Sequence, residues 1–433
     1  MAENKKVMKE NVTSKEPPGG RWMIVIVGMI IQLCLGAIYA YGAVRIYLLE
    51  YFKGLNLAPT ALDMTWPFII FLGIFAITMP LAGPYIQKHG PKKVCMIGGA
   101  LCGLGWFAAS YASSPFMLIP LYALIGGLGV GIAYGVAITT SAQWFPDKRG
   151  LAVGLTVLGF GLSSALITYS TKYMVVTMHM PIMDVLKIFG VAFFIITILL
   201  SLYLRFPPAG WKPAGWTPPA PSAGAAPKVD FMRNEMVKTK TFYGLWLCYT
   251  IGALAGLTAI GISGPVGQEV MKNSGMVPAE ITGLVFTLVL PFAIFNGFGR
   301  PVFGALTDKL TPRNTAIISY VLILAACLLM YVFYSSVWVY IICFSILWGC
   351  LGGWLAIAPT ATASYFGMKD NAKNYGLVFT AYGAGAVIGG IVSAMAKDLL
   401  GDYKPFFLIV AVLAIIGLIL AFLLMKPPIK KTG

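Results

Sequence analysis

A single charge interrupts the apolar segment 281–307, which contains the stretch NGFGRP at residues 296–301. The segment is long and apolar enough to cross a membrane as a helix. Arg300 lies eight residues before Asp308, which begins the next polar loop, so it is about 12 Å deep at 1.5 Å per residue. An arginine near the bilayer centre costs at least about 2.5–3.5 kcal/mol and usually faces an aqueous cavity or a partner. The stretch therefore predicts a spanning helix with a functional arginine, and structural pairing with another helix is the alternative.

The composition outside this segment indicates an all-α membrane protein. Of the 433 residues, 58% are hydrophobic and 11% are charged, and the apolar residues come in blocks of the length that spans a bilayer. Polar breaks separate twelve predicted spans, at residues 22–49, 62–86, 94–113, 116–142, 150–174, 185–206, 242–268, 281–307, 314–335, 338–364, 374–396 and 405–425.

The basic residues predict the orientation of the chain. A net charge of +16 is compatible with a nucleic-acid partner, but most of the 31 lysines and arginines are spread over the two tails and the even-numbered loops. The positive-inside rule explains this distribution and predicts that both termini are cytoplasmic. All seven cysteines lie in apolar segments and none forms a CxxC pair. We therefore expect no nucleic-acid partner, disulfide framework, metal site or cofactor.

The chain divides into two halves. A stretch rich in proline and alanine, followed by mixed charges, predicts a cytoplasmic linker at 207–241. This gives a tail at 1–21, a six-helix bundle at 22–206, a second bundle at 242–425 and a tail at 426–433. Gly131 in span four and Gly352 in span ten are 221 residues apart, and Trp144-Phe145 repeats as Tyr365-Phe366 at the same spacing. Parallel six-helix repeats place a substrate site near the midplane between the halves.

Several loops carry a family resemblance. The sequence WFPDKRG at 144–150, together with GRW at 20–22, residues 296–309 and NYG at 374–376, resembles the oxalate:formate antiporter and monocarboxylate transporter group of the major facilitator superfamily. That superfamily has a charged loop after spans two and eight. Its second copy here keeps Asp308, Lys309 and Arg313, whereas the first has Gln87 in place of the acid. The resemblance implies a cytoplasmic gate at Asp308, Lys309 and Arg313; a solvated turn is the alternative.

The same resemblance implies a substrate site. Arg300 matches the span-eight arginine that binds the substrate carboxylate in this group, and a guanidinium suits a carboxylate bidentately. Asn296 lies one helical turn away on the same face. The oxalate carrier has a lysine in span eleven where this chain has Tyr382, and one cation instead of two favours a monocarboxylate. Tyr39 and Tyr134 match aromatic residues of spans one and four that bound the pocket. Packing between helices is the alternative for each tyrosine.

Proton coupling has no obvious carrier in the sequence. No Asp or Glu lies in the middle of a predicted span. Animal lactate carriers of this group have an aspartate one turn before the arginine, at the position of Asn296. Proton symport and anion exchange both stay open. A second arginine, Arg45, lies near the external end of span one, where snorkelling to the interface is favoured over substrate capture.

These observations predict a secondary active transporter and not an enzyme, since no metal cluster, nucleophile motif or phosphate loop is present. We expect alternating access for small monocarboxylates such as L-lactate and pyruvate, by proton symport, with oxalate:formate-like anion exchange as the alternative. The expected partners are the carboxylate, protons and the lipid bilayer. The expected setting is a monomer in a prokaryotic plasma membrane.

Overall fold

The computed structural model describes residues 17, 19–145, 147, 149–208, 211–213, 215, 230–367 and 370–428. Within these ranges the regular elements are helices, without a strand. Most of the two predicted tails, residues 216–229 of the predicted linker and the side chain of Asp308 lie outside the described part.

Twelve long helices follow one another in the described chain. The first half contains α1 (Arg21–Gly54), α2 (Trp66–His89), α3 (Pro91–Ala109), α4 (Ile125–Trp144), α5 (Arg149–Lys172) and α6 (Ile182–Ser201). The second contains α7 (Lys240–Asn273), α8 (Pro278–Leu310), α9 (Pro312–Val332), α10 (Val337–Phe366), α11 (Asn371–Leu400) and α12 (Lys404–Leu424). Eleven are long and apolar enough to cross a membrane, and the twelfth, α3, begins with two lysines. The predicted all-α membrane fold is confirmed.

The first helix contains a break that positions a candidate site residue. A 3₁₀ turn, Gly36–Ala40, interrupts α1 and carries Tyr39. At Gly36 a Cβ would lie 2.4 Å from the backbone oxygen of Phe160 on α5. At Gly159 a Cβ would lie 2.1 Å from the oxygen of Met29 on α1. Glycines on both helices thus let α1 and α5 approach backbone to backbone, which holds Tyr39 beside α5.

The two halves meet along three helix pairs, α1 with α7, α2 with α11, and α5 with α8. We call this contact the seam. Between α1 and α7 glycines allow close backbone contact: a Cβ at Gly42 would lie 2.4 Å from the oxygen of Ile260, and one at Gly264 would lie 2.4 Å from the oxygen of Gly42. Between α2 and α11, a Cβ at Gly390 would lie 2.0 Å from the side chain of Ile69.

The WFPDKRG loop ties α1 to the rest of the first half. Arg21, at the start of α1, donates to both carboxylate oxygens of Asp147, with Nη2 2.9 Å from Oδ2. The same guanidinium lies 4.5 Å from the ring centroid of Phe145, and Trp144 Nε1 donates to the oxygen of Arg205 at 2.8 Å. These contacts give the motif a structural role at the predicted cytoplasmic end.

The described ends of the predicted linker are docked on the bundles. The ring of Trp211 packs 4.8 Å from that of Trp144. At the other end, the amide of Phe231 donates to the oxygen of Phe366 at 2.9 Å, and Asn374 Nδ2 donates to the oxygen of Phe231 at 2.9 Å. The segment is therefore anchored to α4 at its beginning and to α10 and α11 at its end.

The structure describes two of the three predicted gate residues. Lys309 is exposed at the end of α8. The guanidinium of Arg313 lies 4.5 Å from the ring centroid of Phe422 on α12, which is within the second half. With the side chain of Asp308 outside the described part, the gate stays a prediction.

Candidate functional site

The guanidinium of Arg300 lies on the seam and contacts both halves. Its Nη1 donates to the backbone oxygen of Val157 on α5 at 2.9 Å, and its Nη2 donates to Asn296 Oδ1 at 3.5 Å. The group also lies 5.9 Å from the ring centroid of Phe160. Arg300 is 3% exposed, so its charge is removed from solvent in this conformation.

Asn296 is fixed by its second hydrogen bond and by glycines on the neighbouring helices. Its Nδ2 donates to the oxygen of Trp348 on α10 at 2.9 Å. A Cβ at Gly352 of α10 would lie 2.1 Å from the oxygen of Asn296, and one at Gly161 of α5 would lie 3.0 Å from Asn296 Oδ1. The glycines of α5 and α10 thus bring both helices against the turn of α8 that carries Asn296 and Arg300.

The charge of Arg300 has no acidic partner within the described residues, whose ion pairs all lie elsewhere. Its Nε is buried and has no hydrogen-bond partner there either. A buried charge is normally paired, because an uncompensated ion in a low-dielectric interior is costly. The arrangement is therefore suited to accept an anion that supplies both the negative charge and the missing acceptors.

The three predicted tyrosines are brought together beside Arg300. The hydroxyls of Tyr39 on α1 and Tyr382 on α11 are hydrogen-bonded at 2.8 Å, which joins the two halves. Phe160 contacts Tyr39 and Tyr134 edge-on, with ring centroids 4.9 Å and 5.2 Å away. Tyr39 and Tyr382 are each 1% exposed and Tyr134 is 5% exposed. All five predicted substrate residues thus belong to one buried cluster.

Several aromatic residues of this cluster are absent from the sequence prediction, among them Phe75, Phe160 and Phe379. Phe75 on α2 contacts Tyr134, Phe379 and Tyr382, with ring centroids 5.1 Å, 5.5 Å and 5.7 Å away. Phe379 on α11 stacks on Tyr382 at 5.0 Å, and Phe160 lies under the guanidinium. Phenylalanines are frequent in apolar spans, so no sequence signal marks these three. Their role follows from the packing of α2, α5 and α11.

A bundle of two six-helix halves with a buried arginine on the seam is the architecture of a membrane transporter. Residues 24–266 and 245–433 each match the Major Facilitator Superfamily. The chain therefore belongs to the major facilitator superfamily, and it is a multi-pass membrane transporter.

Relatives of named function share most of the chain. The oxalate:formate antiporter of Oxalobacter formigenes is 28% identical, with 95% of this chain and 94% of the relative covered. Human monocarboxylate transporter 14 is 23% identical, with 98% of this chain and 94% of the relative covered. Among solved structures, a bacterial homologue of the lysosomal transporter Spinster, inward-facing and unoccupied, has a TM-score of 0.67 at 15% identity, with 95% of this chain and 99% of that chain covered. The structural likeness supports the fold, and the resemblance to both transporter groups is confirmed.

Proposed function

We propose that this chain carries small monocarboxylates, such as L-lactate and pyruvate, across a prokaryotic plasma membrane by alternating access and proton symport. The observation that carries the proposal is the guanidinium of Arg300 on the seam, which is buried and has no acidic partner among the residues that the structure describes. A carboxylate there would complete the charge balance and connect the two halves. The names of the relatives support a carboxylate as cargo.

The rest of the cluster favours one carboxylate group over two. The oxalate carrier has a lysine where this chain has Tyr382. The neutral hydroxyl of Tyr382 lies 2.8 Å from the hydroxyl of Tyr39. The surrounding Phe75, Phe160 and Phe379 give an apolar surface suited to a methyl group. Arg300 would bind the carboxylate, Asn296 would hold the guanidinium in position, and the tyrosines would shape the pocket.

Anion exchange is the second candidate, and the same observation favours it. A buried arginine without an acidic partner in the described residues resists movement through the membrane interior unless an anion accompanies it. Such a carrier would return only when loaded, which enforces exchange. The proposed setting is a monomer with both termini in the cytoplasm and the gate of Asp308, Lys309 and Arg313 on that side.

Uptake of radiolabelled L-lactate into proteoliposomes tests the proposal. Removing one partner of a buried charge pair costs about 2–5 kcal/mol, so we expect Arg300→Gln to lower the uptake rate by about 30-fold or more. Arg233→Gln, which removes an exposed arginine from the one-turn helix Arg233–Met236, is the matched control and should keep wild-type rates.

The driving force separates the two candidates. Uptake that follows an inward proton gradient supports symport, whereas uptake that needs a preloaded anion and ignores the gradient supports exchange. Undiminished uptake by Arg300→Gln would overturn the assignment of the site, and no L-lactate uptake under either condition would overturn the cargo.

A further inference from the structure

A second arginine is buried in the seam. Arg45 of α1 is 5% exposed, and its Nη2 donates to the backbone oxygen of Ala61 at 2.9 Å, in the loop before α2. No acidic side chain forms an ion pair with it among the residues that the structure describes. The snorkelling favoured by the sequence is therefore wrong, because the guanidinium lies inside the protein and donates to its backbone.

The guanidinium lies beside a cavity to which both halves contribute. From the first half, α1 contributes Tyr41 and Arg45, and the beginning of α2 contributes Phe68 and the preceding Thr65. From the second half, α7 and α11 contribute the remaining lining residues, which are Thr258, Gly261, Ile262, Gly390 and Ser393. We call this space the outer cavity. In this conformation the space holds little more than one water molecule. Its walls combine one cation with hydroxyls and apolar surface, so its chemistry suits a singly charged anion with a small apolar part once the halves separate on this side.

A polar group in the outer cavity lacks a partner. Thr258 is 2% exposed, and its Oγ1 has no hydrogen-bond partner among the described residues. By contrast, the hydroxyl of Tyr41 donates to the oxygen of Met64 at 2.7 Å, and that of Ser393 donates to the oxygen of Gly390 at 3.0 Å. Buried polar atoms are normally satisfied, so the Thr258 hydroxyl can donate to an anion in the cavity that Arg45 also lines.

The outer cavity lies on the seam beyond the tyrosine cluster. Arg45 comes six residues after Tyr39 on α1, and Ser393 comes eleven residues after Tyr382 on α11. Both helices run in the same direction, so the cavity is displaced by about 9–16 Å toward the predicted external side. A substrate that moves between Arg300 and the external solution must therefore pass the outer cavity.

The loop before α2, which binds Arg45, is held by contacts between the halves. The amides of Ala61 and Leu62 donate to the two carboxylate oxygens of Asp398, at the end of α11, at 2.9 Å and 3.0 Å. The oxygen of Ala61 accepts from Arg45. If the halves separate on this side, the bonds to Asp398 must break, and the outer cavity then widens toward solvent with Arg45 in its wall.

We propose that Arg45 and Thr258 form an outer subsite that binds the carboxylate group of the transported monocarboxylate between solvent and Arg300. This inference rests on the proposed function. The guanidinium supplies the charge and the Thr258 hydroxyl donates a hydrogen bond. The subsite attracts the anion into the seam before Arg300 takes it over, and it receives the anion again in the opposite direction.

Charge-selective labelling of a cysteine in the outer cavity tests the subsite independently of transport. The seven native cysteines are buried, and the parent protein without a new cysteine gives the background. In proteoliposomes, we divide the rate of each methanethiosulfonate reagent with Thr258→Cys by its rate with a free thiol in solution, and we expect this normalised rate to be at least about tenfold higher for an anionic reagent than for a cationic one. Adding Arg45→Gln should bring this ratio close to one, and L-lactate should protect the cysteine.

Three controls keep the test decisive. Lys53→Gln removes an exposed cation from the same end of α1 and should leave the ratio unchanged. Ser393→Cys reports on the same cavity if Thr258→Cys is not folded. Chloride at the same concentration should protect less than L-lactate; equal protection would overturn the assignment to a carboxylate.

The outcomes separate the subsite from the proposed function. Equal labelling by both reagents, or no labelling while Arg300-dependent uptake persists, would overturn the subsite alone. The protein could instead show a charge preference that depends on Arg45 and yet neither transport L-lactate nor be protected by it. That result would overturn the assignment of a monocarboxylate as the cargo. We also expect Arg45→Gln to lower kcat/KM for L-lactate about tenfold in both directions, because both directions share one path.

Discussion

Replacing Asn296 with aspartate would place a permanent competitor beside Arg300. In the structure Asn296 Oδ1 accepts from Arg300 Nη2 at 3.5 Å, while Nδ2 donates to the oxygen of Trp348 at 2.9 Å. In Asn296→Asp, a carboxylate would pair with the guanidinium. Its other oxygen would face the carbonyl of Trp348, a contact that becomes favourable only when the new carboxyl group carries a proton.

The distance sets the size of the effect. Two unit charges about 4 Å apart interact by about 4 kcal/mol at an effective dielectric constant of about 20. A substrate carboxylate must compete with this pair for Arg300. Even half of that energy, about 2 kcal/mol, corresponds to about a 30-fold loss of apparent affinity.

The assay is L-lactate uptake into proteoliposomes at pH 7.5 and pH 5.5, expressed as the ratio of variant to wild type. For Asn296→Asp we expect a ratio of about 0.03 or less at both pH values, because the neighbouring guanidinium favours the charged form of the added carboxyl group. Asn296→Leu removes both hydrogen bonds without adding charge, so it should keep more uptake than Asn296→Asp at both pH values. Wild-type uptake by Asn296→Asp at pH 7.5 would refute the reasoning that substrate and Asn296 share the guanidinium.

Two further predictions concern selectivity and packing. Tyr382→Lys adds a second buried cation to the cluster, so L-lactate uptake should fall. Oxalate should inhibit the remaining uptake at least about tenfold more strongly than in wild type. Unchanged inhibition by oxalate would contradict the argument that one cation selects for one carboxylate group. Gly352→Ala places a Cβ 2.1 Å from the backbone oxygen of Asn296, so it should lower the free energy of unfolding by about 1–3 kcal/mol in a denaturant titration. Gly304→Ala, whose Cβ would lie 3.8 Å from the Cβ of Ala356, should be tolerated, and equal effects of the two changes would refute the role assigned to Gly352.

The sequence predicts the spans and the centre of the site because both depend on local signals. A charge within an apolar segment marks Arg300, and helical spacing places Asn296 on the same face. The aromatic wall carries no such signal. Phe75, Phe160 and Phe379 come from helices far apart in the chain, and only the contacts of α2, α5 and α11 bring their rings together.

The outcome for Arg45 shows how a small error in a boundary changes an interpretation. The sequence predicts that the first span ends at residue 49, which puts Arg45 at the membrane interface. In the structure α1 continues to Gly54, so Arg45 lies two turns inside the helix end. Its guanidinium donates to the oxygen of Ala61 and borders a cavity that α7 and α11 also line, and this orientation depends on packing that local sequence does not encode.

The glycine contacts between α1 and α7 have a thermodynamic consequence. A cargo of about six heavy atoms supplies at most about 9 kcal/mol of binding free energy, so the two halves must separate at a comparable or lower cost. Gly42 and Gly264 bring backbones together without a Cβ between them, so this part of the contact buries less apolar side-chain area than larger residues would and costs less hydrophobic free energy to open. The seam is thereby suited to a conformational equilibrium that so small a molecule can shift.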